Sequence, residues 1–158
     1  MILDVSDYPS VRAAISIDLV TDSVLPDSVI SQPRYLLMAL DDVLSSVPRL
    51  SDLLEAGTID RDSSLAVVAT EAGYDASQRL MLQAAAITRT AWRLFPDIRQ
   101  LLQFQAGEVS ESYARLDWEA RRQWVLNEYS GYISRLNGGD GVPGYLEAVY
   151  RFCLVKAK

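Results

Sequence analysis

The chain predicts an all-α fold: a small bundle of about four helices, with an extended, β-like excursion between the last two long helices and an extended C-terminal tail. Three observations carry this expectation. Apolar residues recur at the three-and-four spacing of amphipathic helices in successive stretches. Proline and glycine punctuate the boundaries between those stretches. A length of 158 residues with 49% apolar content is enough for one hydrophobic core without disulfides.

The elements follow in order. Ser6 is placed to cap a short first helix, with Pro9 in its first turn and Val11, Ala14 and Ile15 on its inner face. Pro26 forces Leu25 into extended geometry and breaks the chain there. Leu36, Leu37, Leu40, Val43, Leu44 and Val47 mark the apolar face of a second helix, opened near Pro33 and ended by Pro48. Arg49–Ala56 suits another short helical turn before Gly57, and residues 58–62 read as a loop. Ser64–Glu71 is a short apolar segment of helical character, stopped near Gly73.

A third long helix is expected from about Ala76 to Phe95, with Leu80, Ala84, Ile87, Ala91 and Leu94 on one face and Pro96 as its terminator. The small residues Ala84, Ala85 and Ala86 would let another helix approach closely. The period then changes. Leu102 and Phe104, followed by Val109 and Tyr113, suggest alternation about Ala106-Gly107, which predicts a β-like excursion or hairpin over 98–116. Asp117 is a good N-cap for the fourth helix, whose apolar face is Trp118, Val125, Tyr129, Tyr132, Ile133 and Leu136. Residues 1–137 thus form the bundle, 138–144 a glycine-rich linker, and 145–158 a tail.

That tail is rich in Tyr145, Leu146, Val149, Tyr150, Phe152, Leu154 and Val155, and carries Lys156 and Lys158. An apolar segment of this kind, left free, would drive aggregation, so it is expected to dock on a partner.

Composition narrows the chemistry. The chain contains no histidine, which removes His-based triads, His metal sites and His acid–base catalysis. Cys153 is the single cysteine; it excludes an internal disulfide and reads as a small buried hydrophobe. The pattern Asp60-x-Asp62-x-Ser64 with Glu71 at the twelfth position resembles a calcium loop, but Leu65 stands where the loop needs glycine. Asp62 or Ser63 as a helix cap is the better reading. Asp41 and Asp42 point about 100° apart on a helix and read as a solvated face rather than a catalytic pair. No phosphate loop, dinucleotide fingerprint or nucleophile elbow occurs. No enzyme activity and no cofactor are expected.

Charge is unevenly placed. Residues 1–75 hold 13 acidic and 4 basic side chains, and residues 76–158 hold 8 and 11. Thirteen of the fifteen basic residues are arginine, the cation favoured at protein interfaces. The net charge of −6 argues against nucleic-acid binding by the whole chain. Asp4 and Asp7 sit where a secretory leader would be basic, and the longest apolar runs are too short to span a bilayer, so no membrane association is expected. Arg121-Arg122, with Arg115 just before them, suits salt bridges better than a phosphate patch. Trp118 and Trp124 lie six residues apart on one helix and cannot both face one direction, which makes Trp124 a candidate interface anchor. Phe104, Val109, Tyr113, Arg115, Arg121, Arg122 and Trp124 are the subunit-interface candidates.

The pattern resembles the head–tail connector, or adaptor, proteins of tailed bacteriophages. The residues that carry the resemblance are Leu25-Pro26-Asp27-Ser28-Val29-Ile30 opening a helix, an alanine-rich helix ending at Leu94-Phe95-Pro96, the extended Gly107–Arg115 stretch, and a last helix rich in arginine and aromatics. The resemblance covers about Asp27 to Leu136. It implies a virion protein of the neck, made in the host cytoplasm, that forms a homo-oligomeric ring, typically twelve-fold. Such a ring docks beneath the portal protein, meets the next neck or tail protein below, and passes DNA through its channel without binding it specifically. The competing expectation is a small helical regulatory or chaperone-like protein-binding module; a carboxylate-based metal enzyme is the third.

Overall fold

The computed structural model describes residues 1–16, 19–104 and 117–138, the side chains of 99 and 101–104 excepted. Among these residues the fold is all-α, with seven α-helices and no strand. They are α1 Tyr8–Ile15, α2 Asp27–Ile30, α3 Leu36–Ser46, α4 Pro48–Glu55, α5 Leu65–Ala72, α6 Ala76–Phe104 and α7 Trp118–Leu136. The architecture is built around α6, against which α7, α1, α3 and α5 all pack, while α4 bridges α3 and α5. The expected count of about four helices is therefore too low: Pro48 ends α3 but also opens α4 at its first helical position, where its missing N–H costs nothing.

Local chemistry sets most boundaries. Asp4, not Ser6, caps the N-terminal segment: its carboxylate accepts from the Ser6 amide at 2.7 Å, and Asp7 returns a bond to the Asp4 amide at 2.9 Å, holding a single 3₁₀ turn over Val5–Asp7. Pro9 lies in the first turn of α1, and Val11 and Ile15 are wholly buried. Ser64 caps α5 by accepting from the Val67 amide, and Gly73 ends it in the left-handed conformation at φ +68°. Asp75 and Gln78 form a reciprocal capping box on α6, at 2.8 and 3.0 Å. Asp117 caps α7 through the Ala120 amide at 3.0 Å.

Two expectations for α6 are corrected. The helix does not end at Pro96 but runs through it to Phe104, so residues 98–104 of the expected β-like excursion are helical. Residues 105–116, the rest of that excursion, lie outside the described residues, as do the linker beyond Gly138 and the 145–158 tail. Packing explains the continuation. Ala91, Leu94, Phe95 and Ile98 fall on one helical face and are all buried, while Pro96 faces solvent. A proline inside a helix costs about 3 kcal/mol, and burying Leu94, Phe95 and Ile98 at roughly 1.5–3 kcal/mol each outweighs it. The Tyr35 hydroxyl also donates to the Asp97 carboxylate, tying the turn after the proline to the segment that leads into α3.

The phase of α6 differs too. Leu80 is 66% exposed, and Ala84 and Ile87 are half-buried; the buried set is Leu82, Ala85, Ala86, Thr88, Thr90, Ala91 and Leu94. Because α6 is packed on several sides, its small polar residues go inside. Thr88 and Thr90 satisfy their hydroxyls on the carbonyls of Ala84 and Ala86, both at 2.8 Å, and so can be buried without an outside partner.

Polar staples fix the N-terminal half to this frame. Buried Arg12 donates from Nε to the Leu25 carbonyl at 2.7 Å and pairs with Asp27. Gln83 on α6 donates to Asp7 at 2.6 Å. No described helix is long and apolar enough to cross a membrane.

Candidate functional site

Asp41 and Asp42 are neighbours on α3 that diverge, as adjacent helical residues must. Asp41 turns outward and accepts from Arg61 Nε at 2.5 Å. Asp42 turns toward α6, and there it is not a solvated acidic face. Its Oδ2 accepts from Arg89 Nε at 2.7 Å and from Arg93 Nε and Nη2 at 2.9 and 2.6 Å. Arg89 and Arg93 stand four residues apart on α6, so they present side by side to one carboxylate oxygen. All three side chains are mostly covered, with 26% of Asp42, 17% of Arg89 and 21% of Arg93 exposed.

Aromatic rings from α6 and α7 complete the cluster. The Arg89 guanidinium carbon lies 4.2 Å from the centroid of the Trp92 ring and 5.1 Å from that of Tyr129. Arg122, on the second turn of α7, lies over the same Trp92 ring at 4.4 Å. Guanidinium stacking of this kind holds the cation in place while stripping part of its water. The Tyr129 hydroxyl sits 3.0 Å from Ser46 Oγ and 3.3 Å from the Asp42 carbonyl oxygen; burial raises its pKa above the ordinary tyrosine value. Asn137 donates to the Ser46 carbonyl at 3.0 Å, so α7 closes on the end of α3.

Arg121 faces the other way. Its Nε donates to the carbonyls of Ala14 and Ile15, at 3.1 and 3.2 Å, and its guanidinium lies 4.1 Å from the Trp124 centroid. Those carbonyls are at the end of α1, where unsatisfied acceptors and the negative helix terminus favour a cation. Burial lowers the Arg121 pKa below the usual guanidinium value.

The adjacent arginines are therefore unlike. Arg121 is spent on its own fold. Arg122 Nε is buried without a hydrogen-bond acceptor. Of the expected interface residues, Arg121, Arg122 and Trp124 share the first turns of α7; Trp124 is half-buried against the core rather than a bare anchor. Trp118 is half-buried too, edge-on to Phe95 at 6.1 Å. Phe104 is the last residue of α6. Val109, Tyr113 and Arg115 lie outside the described residues, and so do Tyr145, Leu146, Val149, Tyr150, Phe152, Cys153, Leu154, Val155, Lys156 and Lys158. The cluster of Asp42, Arg89, Trp92 and Arg93 was not expected from sequence; the signal available for it was the Arg89-x-x-Trp92-Arg93 spacing, which puts all three on one helical face.

Carboxylates predominate on α4, α5 and the loop between them. Asp52 and Glu55 on α4, Asp60 and Asp62 in the following loop, and Glu71 on α5 are all exposed, with Arg49 and Arg61 exposed among them. Asp60 is used locally: its carboxylate accepts from the Asp62 amide at 2.9 Å and the Ser63 hydroxyl at 3.2 Å, which shapes the loop before Ser64. Among the described residues no three acidic or thiol side chains gather around a metal-sized space. The hollow lined by Leu3, Leu36, Leu40, Ala86 and Thr90 has room for about one water molecule. The organised polar groups thus hold helices together. No family model, no curated protein and no solved structure matches the chain.

Proposed function

We propose that this chain is a structural assembly protein of the head–tail connector type: the protomer of a ring that docks beneath a portal and extends a DNA channel toward the tail. The observation that carries the reading is the uneven charge of a helical protomer. Exposed carboxylates predominate on α4, α5 and the loop between them, whereas the stacked Arg122 lies on α7 against Trp92 of α6. Two different complementary patches on one protomer favour head-to-tail association, and such contacts close into rings when the rotation allows. The all-α protomer and the sequence resemblance point the same way.

Much of the charge is already paired within the protomer. Arg89 and Arg93 are held by Asp42, and Arg121 by the end of α1, so the contact between copies falls to the cations left over. In this reading segment 105–116 adds contacts to the neighbouring copy, and the 145–158 tail docks on the portal. The next neck or tail protein binds the far face of the ring. The net charge of −6 supports a channel along which DNA slides without sticking. Co-expression with the portal protein followed by electron microscopy tests the reading: a ring attached to the portal is expected, and a chain that neither binds portal nor forms a ring overturns it.

A further inference from the structure

We propose that the Arg122 guanidinium, stacked on Trp92, receives a carboxylate from the α4–α5 end of a second copy of this chain. The inference rests on the head-to-tail reading above and gives it a named contact.

Asp42 Oδ2 accepts three N–H groups, all of them from Arg89 and Arg93. Arg12 is paired with Asp27, Arg61 with Asp41, and Arg121 is held by α1 carbonyls. Arg122 stands beside this group on the Trp92 ring, yet among the described residues no carboxylate or carbonyl accepts from it, and its Nε is shut off from water. A guanidinium fixed on an aromatic face, partly desolvated and short of acceptors, is preorganised for a planar carboxylate.

The carboxylates left over lie elsewhere. Asp7, Asp27, Asp41, Asp42, Asp75 and Asp97 all have partners in the fold. Asp52, Glu55 and Glu71 are exposed, and their carboxylates meet no partner among the described residues. Glu71 precedes the start of α6, and Trp92 lies sixteen residues into that helix, roughly 25 Å along its axis at the α-helical rise. Arg49, on α4, is exposed beside these carboxylates, but one molecule cannot bring its own Arg122 to them. Two molecules stacked head to tail can, and each pairing leaves the same two ends free to continue.

The test uses two full-length variants: Arg122→Glu, which spoils the receiving end, and Asp52→Asn/Glu55→Gln/Glu71→Gln, which spoils the delivering end without offering a reversed charge. Circular dichroism checks that both fold, and Arg122→Gln stands in should Arg122→Glu fail to. Light scattering coupled to size exclusion follows each variant alone, the two mixed, and each with portal oligomer present. Wild type is expected to associate with rising concentration or on the portal. Each variant alone should associate at least tenfold more weakly, and Arg122→Lys, which keeps charge but not planar stacking, should fall between. The mixture should form a 1:1 pair that grows no further, because only one sound contact exists. Association of Arg122→Glu and Arg122→Gln equal to wild type overturns the inference and leaves the connector reading standing. Wild type that neither self-associates nor binds portal overturns both.

Discussion

Replacing Asp42 by alanine should be among the most damaging single polar changes in this fold. Among the described residues the side chain supplies the only acceptor for three N–H donors, all within 2.9 Å, from two arginines on α6. Breaking a fully buried pair costs roughly 3–5 kcal/mol because a charge is left stranded. Here about a quarter of Asp42 and less than that of each arginine is exposed, so rehydration recovers part of the loss. The expected cost is about 2–3 kcal/mol, or roughly 5–10 °C in Tm for a chain of this size. Asp42→Asn keeps an acceptor oxygen and should cost about half as much. Asp41→Ala is the control: its pair with Arg61 is 36% and 56% exposed, and exposed pairs contribute about 0–1 kcal/mol. Urea unfolding followed by tryptophan fluorescence and helical circular dichroism measures all three, and a cycle with Arg93→Gln isolates the coupling. If Asp42→Ala and Asp41→Ala cost the same, the claim that Asp42 fastens α3 to α6 is wrong.

Pro96→Ala should stabilise the protein by about 1–3 kcal/mol, since it restores an N–H inside a continuous helix; an unchanged urea midpoint would mean that the helix ends there. Tyr35 is pushed up to about 12, chiefly by burial and then by its hydrogen bond to Asp97. Its folded pKa exceeds the unfolded value near 10, so its contribution is full below pH 10 and is lost as pH rises toward 12. Alkaline titration at 295 nm should show tyrosines ionising late, and Tyr35→Phe should flatten the stability loss in that window; a stability profile that is flat from pH 10 to 12 in wild type would contradict this. Gly73→Ala should cost about 1 kcal/mol or more, because φ is +68° and an added Cβ would sit 3.3 Å from Arg49 Nη2; a neutral result by thermal melting would count against that cap.

What was legible in the sequence was local. Asp117 and Leu136 bound α7 as its cap and apolar spacing indicate, and Gly73 ends α5 where a left-handed residue is cheapest. The cap of α5 fell one or two residues from the expected positions, on Ser64, because three polar residues in a row offer the same chemistry. Pro96 misled because a proline rule is local while Leu94, Phe95 and Ile98 are held by distant helices. Leu80 misled for a related reason: α6 is wrapped on several sides, so alanines and threonines that satisfy themselves occupy the inside, and a leucine near the helix start is left exposed. Only the α6 half of the Asp42 cluster was visible in one dimension, as the Arg89-x-x-Trp92-Arg93 spacing. The partners of Asp42 are 47 and 51 residues away, and nothing in the sequence marks which acidic residue meets which arginine. The pairing changes the functional reading, since it takes Arg89 and Arg93 out of the pool available to a neighbour, while Arg122 stays in it.

The most direct test of the central claim is electron cryomicroscopy of the full-length chain assembled with its portal. The expected result is a closed ring of identical head-to-tail contacts around an open axial channel, with Arg122 of each copy against the α4–α5 carboxylates of the next. A two-fold dimer with the same surface facing itself, and no ring even beside the portal, would contradict it.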